Sequence, residues 1–100
     1  MADIVIRKRV NLEFLGEDYK EDFLVFKAMP VSEFEDILPE LEKERKGKES
    51  VQFIKSILKD HFIEGIFDKQ KVDKEDLDKF DIDTLTKCFG IFTGQDNPKS

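Results

Sequence analysis

One cysteine, one histidine and no tryptophan stand among 100 residues. The single Cys88 closes no intrachain disulfide, and with only His61 beside it in the inventory it assembles no soft-ligand zinc site. A reducing compartment suits such a chain. Long apolar runs are missing as well: the clearest, Phe23-Leu24-Val25-Phe26, is four residues long, against the roughly 18 that a spanning helix requires. Met1-Ala2-Asp3-Ile4 begins no signal-peptide core, so neither export by such a signal nor membrane insertion is expected. Positive charge is in the minority, with 17 Lys plus Arg against 23 Asp plus Glu and a net charge of −6. That balance disfavours the broad phosphate attraction behind non-specific nucleic-acid binding, and neither half of the chain is basic enough to restore it. The sequence holds no GxGxxG and no GxxxxGK[ST], so the phosphate-cradling loops of nucleotide enzymes are absent. No period of 20 to 50 residues repeats, which excludes solenoids.

What is present is a mixture of 39% hydrophobic and 40% charged residues, too apolar for a solvated tail and sized for one domain. From Ile4 to Phe14 the even positions are mostly apolar and the odd ones from Arg7 polar, which is strand period. Gly16-Glu17-Asp18 reads as a turn, and Tyr19 to Ala28 as the returning strand of an antiparallel hairpin. Such a hairpin is marginal alone. Ile6, Val10, Leu12, Leu24 and Phe26 are expected to pack on the helix from Val51 to Glu64, whose stripe of Val51, Ile54, Ile57, Leu58 and Phe62 ends at Gly65. An earlier helix should begin at Glu33, capped by Ser32 with Glu35, and kink or divide at Pro39. After Ile66-Phe67 and a polar loop from Asp68 to Val72, Asp73 caps a short helix through Leu77 and Phe80. A last helix starts near Asp81 or Asp83 and stops at Gly94. The expected fold is therefore α+β, an N-terminal antiparallel β-hairpin packed on a C-terminal bundle of about four helices, with residues 1–94 as one domain and residues 95–100 as a flexible polar tail.

The acidic stretch Asp73 to Asp83 invites a calcium reading, but counting from Asp73 puts Leu77 at the fifth position, Asp78 where a glycine belongs and Thr84 where a bidentate glutamate belongs. Helix capping and solvation account for these acids more simply. His61 has no nucleophile at a known spacing, and Cys88 has Leu85, Phe89 and Phe92 at helical spacing, so burial as a small hydrophobe is expected of it. No catalytic, cofactor or metal residue is assigned. The ten phenylalanines are the unusual feature. Core packing uses most of this load, and the remainder is a candidate surface for an apolar partner. Ile66, Phe67, Phe80, Leu85 and Phe92 flank the least regular part of the chain and are the candidate partner-binding residues.

Asn11 to Tyr19, Phe23 to Val31, Asp83 to Phe89 and Phe92-Thr93-Gly94 together resemble the phage tail assembly chaperone family of long-tailed phages and prophages of Gram-positive bacteria. The likeness runs over nearly the whole chain, except Glu40 to Glu49, as one of order and character without an invariant chemical signature. It implies a non-catalytic protein of the host cytoplasm, absent from the mature virion, that binds the tape measure protein and helps recruit tail tube protein. It also implies self-association. Members are commonly made in two lengths by ribosomal slippage, so an overlapping frame entered near Pro98-Lys99 is expected to encode an extension that contacts tube subunits. The alternative from the residues alone is a small acidic regulatory or calcium-responsive binding module.

Overall fold

The computed structural model describes residues 2–94, so the expected tail at residues 95–100 lies outside the described residues. Strand β1 (Arg7–Asn11) pairs antiparallel with β2 (Phe23–Lys27), with Val10 opposite Leu24 and Lys8 opposite Phe26. Alternation puts these four side chains on the inner face of the sheet and Arg7, Arg9 and Phe23 on the outer one. The hairpin is shorter than the sequence period suggests. Leu12 leaves the strand to enter the core, and two 3-10 helices, Glu13–Leu15 and Glu17–Tyr19, bridge to β2. Ile6 still accepts a hydrogen bond from Ala28 N at 2.8 Å, yet its side chain is 63% exposed and does not join the packed face as expected.

Helix α1 (Val31–Glu42) continues through Pro39 and begins two residues earlier than the Ser32 cap predicts. Pro30 occupies the N-cap with no side-chain cap; its carbonyl accepts from Phe34 N at 2.9 Å. Helix α2 (Lys48–His61) follows a turn at Gly47, whose φ of 57° and ψ of −126° favour a residue without Cβ.

The largest difference from the sequence reading lies next. Helix α2 ends at His61, and the chain passes at once into β3 (Phe62–Phe67), which pairs antiparallel with β2 and continues through a turn at Asp68-Lys69 into β4 (Gln70–Lys71). The hairpin is thus one half of a four-stranded antiparallel sheet in the order β1-β2-β3-β4. Between Val25 and Phe26 the register shifts, because Val25 faces Glu64 while Phe26 faces Phe62, and Ile63 is the extra residue. Gly65 is no helix stop. A Cβ there would lie 2.6 Å from Leu24 Cδ2 and 2.9 Å from the Phe23 carbonyl oxygen, so glycine lets β2 and β3 approach.

A 3-10 helix (Lys74–Lys79) then leads into α3 (Ile82–Phe92). Both starts are capped by the acids the sequence offered: Asp73 and Asp76 form a reciprocal capping box, and Asp81 accepts from Thr84 N. Val10, Leu12, Leu24 and Phe26 of the sheet region meet Ile54 and Leu58 of α2 and Leu85, Cys88, Phe89 and Phe92 of α3 in one buried cluster. Each such large apolar side chain removed from water contributes roughly 1.5–3 kcal/mol. Lys8, although on the inner face, reaches past this cluster to donate to the Phe92 carbonyl oxygen at 2.9 Å, where a cation suits the helix C-terminus. Among the described residues, three α-helices and three 3-10 helices with a four-stranded antiparallel sheet make the fold α+β, with the strands of the hairpin ahead of the α-helices.

Candidate functional site

Among the described residues the five expected partner-binding side chains do not share a surface. Leu85 and Phe92 are each 3% exposed and belong to the core, which corrects their assignment: the inward stripe of α3 that made them stand out is the stripe that packs on the sheet. Ile66 pairs with Phe23 and Lys71 on the outer face of the sheet. Phe67 and Phe80, both half-buried, come together with ring centroids 5.3 Å apart and nearly perpendicular planes.

These two rings form the floor of a cleft of about 550 Å³. Tyr19 stacks on the other side of Phe67, with centroids 5.5 Å apart and planes 22° from parallel. Edge-to-face and offset arrangements of this kind suit the ring quadrupoles. Leu15 and Val72 add aliphatic wall, and Gln70, Lys71, Asp76, Lys79, Asp81 and Thr84 make the polar rim. Sequence reading reached Phe67 and Phe80 but placed Tyr19 in a strand and Lys71 in a loop.

Each wall has a local cause. The β3–β4 turn holds Asp68 and Lys69 at φ of 50° and 65°, and the Asp68 N–H donates to Asp22 Oδ2 at 3.2 Å. Asp22 is itself 6% exposed and donates its own N–H to the Tyr19 carbonyl oxygen at 3.0 Å. One aspartate therefore ties the turn beyond Phe67 to the 3-10 helix that carries Tyr19. On the opposite side, Phe80 sits between the 3-10 helix and the Asp81 cap of α3.

The rim acids are occupied. Asp76 accepts from Asp73 N at 2.9 Å and from Lys79 at 3.0 Å, and the Asp73 amide followed by the Lys79 ammonium hold its carboxyl below the ordinary value. Asp81 accepts from the Thr84 hydroxyl at 2.6 Å and the Thr84 N–H at 3.2 Å, which lowers its carboxyl likewise. Asp78, on the same 3-10 helix, bridges Lys59 at 2.8 Å and Lys55 at 3.1 Å on α2. Among the described residues no group of three or more His, Cys, Asp or Glu side chains converges as a metal site.

His61 and Cys88 lie elsewhere. His61 Nδ1 is 2.7 Å from the Ile57 carbonyl oxygen and Nε2 is 2.6 Å from Glu33 Oε1, joining α2 to α1. Cys88 is fully buried, and that burial, with Asp81 as a lesser cause, pushes its thiol up to about 12. Among the described residues no helix is long and apolar enough to cross a membrane. No known protein family, no curated protein and no solved structure matches the chain.

Proposed function

We propose that this protein is a phage tail assembly chaperone, non-catalytic and cytoplasmic, that binds the tape measure protein through the Tyr19–Phe67–Phe80 cleft and helps recruit tail tube subunits. The resemblance of the Asn11–Tyr19, Phe23–Val31, Asp83–Phe89 and Phe92–Gly94 stretches to that family supports it. The observation that carries it furthest is the cleft: three aromatic rings at one surface, only half-buried, beside acids already held by caps and ion pairs. Such a surface suits apolar side chains of a long helical client, and the net charge of −6 favours solubility of the complex. Edge strand β1 supports self-association among copies along the client, since Ile4, Val5 and Ile6 leading into it are 74%, 59% and 63% exposed. A longer form, extended from the frame near Pro98-Lys99, is the proposed link to the tube protein, and the protein itself stays out of the finished virion.

The test is co-expression with fragments of a phage tape measure protein. The proposal expects a fragment to become soluble and to co-purify with the chain, and expects Phe80→Ser to weaken capture while the melting transition stays cooperative. Fragments that remain insoluble alongside a folded chain argue against it.

A further inference from the structure

We propose that the outer face of the sheet is a docking surface for helix α1 of a second copy of this chain; this deepens the self-association named in the proposed function and rests on it. Helices α2 and α3 fill the inner face of the sheet, and Leu41 of α1 packs against the same cluster, so the outer face carries no helix. It has an apolar centre of its own. Val25 is buried yet stands apart from the core cluster, and beside it Phe23 pairs with Ile66, both half-buried. Two cations border this centre without a counter-charge. Arg9, opposite Val25, donates from Nε to the neutral Asn11 side chain at 2.9 Å and lies 3.9 Å over the Phe23 ring. Exposed Lys27, two residues along β2 from Val25, has no ion pair among the described residues. Arg7 is neutralised by Glu64, the acid on this face, at 3.3 Å. Lys71 on β4 is offset by Asp81, which lines the same cleft, while Glu21 and Asp68 lie in turns beyond the strand ends.

Helix α1 carries the complement. Val31, Glu35, Leu38 and Glu42 recur at helical spacing, all four exposed, as one stripe beside the half-buried Phe34, Ile37 and Leu41. Glu35 and Glu42 have no ion pair among the described residues. Along the helix they are about 10 Å apart, with Leu38 between them. Arg9 and Lys27, one strand across and two residues along, are about 8 Å apart at the backbone, with Val25 next to both. Long side chains make up the difference. Two acids and two apolar side chains thus face two bases and an apolar centre, and a helix about 18 Å long spans strands about 17 Å long. The contact joins different surfaces on the two copies, so it repeats head to tail. Phe67 follows Ile66 and points to the other side of the sheet, so the aromatic cleft stays open.

The experiment is sedimentation velocity of the full chain over a wide concentration range, with two double variants: Glu35→Lys with Glu42→Lys, and Arg9→Glu with Lys27→Glu. The parent is expected to self-associate, more weakly as salt rises. Each double variant alone sets like charges against each other and should raise the dissociation constant about tenfold or more. Mixed in equal amounts, the two should associate again, because each supplies the charge the other lacks. All four residues are exposed, so the melting transitions should stay close to the parent's. Lys27→Glu alone, which leaves Arg9 stacked on Phe23, should give a smaller loss in the same direction. Association that survives both reversals but is lost in Ile6→Lys overturns this interface and leaves self-association through the β1 edge intact. Loss in each variant without recovery on mixing overturns the pairing with α1. A parent that stays monomeric overturns self-association and this surface together, and capture of a tape measure fragment at the cleft would then leave the client reading standing. Shifts at Arg9, Phe23 and Lys27 on adding that fragment to a monomeric parent would assign the outer face to the client and overturn the second copy as its occupant.

Discussion

The carboxylate of Glu33 lies 2.6 Å from His61 Nε2, and this pair is the polar clasp between α1 and α2. Helix α1 depends on it because none of its residues is buried. Its hold on the core comes from half-buried Leu41, and past its end Arg45 turns back to the Glu40 carboxylate and lies 3.8 Å over the Phe53 ring. Glu33→Ala should therefore speed hydrogen exchange in α1 by a few-fold, the factor that loss of a bond worth about 1 kcal/mol implies, with β2 and α3 unchanged. Uniform acceleration across the chain would contradict this local account.

Gly65→Ala places a methyl group against Leu24 Cδ2 and the Phe23 carbonyl oxygen. The side chain can turn, whereas the backbone oxygen belongs to a paired strand. We expect a loss of about 1–3 kcal/mol, the usual cost of overpacking, read as a lower urea midpoint with unchanged slope.

Tyr19→Ala removes the stack on Phe67 and should cost about 1 kcal/mol beyond the area lost. Capture of a tape measure fragment should weaken with it.

Acid should destabilise the protein through three carboxylates. Asp78 is lowered by Lys59 and then Lys55, Asp81 by Thr84, and Asp76 by the Asp73 amide and then Lys79, all from an ordinary value of 3.8. A group whose folded value is depressed contributes stability above its unfolded value and loses it as pH falls through the folded one. Melting temperature should accordingly fall as pH drops below about 4, and Asp78→Asn should melt lower near neutrality while showing a shallower fall.

Cys88 should resist thiol reagents in the native protein, since burial holds its thiol up to about 12, and react at the rate of global opening. Prompt labelling without denaturant would contradict its burial.

The sequence made the α+β class legible because Val10, Leu24 and Phe26 alternate along strands, while Ile54 and Leu58 recur at helical spacing. The acidic caps were legible too, as Asp73 and Asp81 each precede an apolar recurrence. Strand β3 was hidden for a physical reason. Phe62 continues the stripe of α2, the bulge at Ile63 breaks the two-residue period, and Gly65 resembles a helix stop although its cause is the approach of Leu24. Half of the cleft was hidden for another. Tyr19 is brought to Phe67 with the help of Asp22, whose bond to Asp68 spans 46 residues that no local pattern encodes, and Lys71 by the β3–β4 hairpin, whose second strand is only two residues long and too short to show a period.

The most direct measurement for the proposed function is an amide NMR titration of the full chain with a soluble fragment of a phage tape measure protein. Saturable shifts clustered at Tyr19, Phe67, Lys71 and Phe80 are the expected result. A fragment that leaves these resonances unmoved, or a chain that binds none of the client, would contradict the chaperone account.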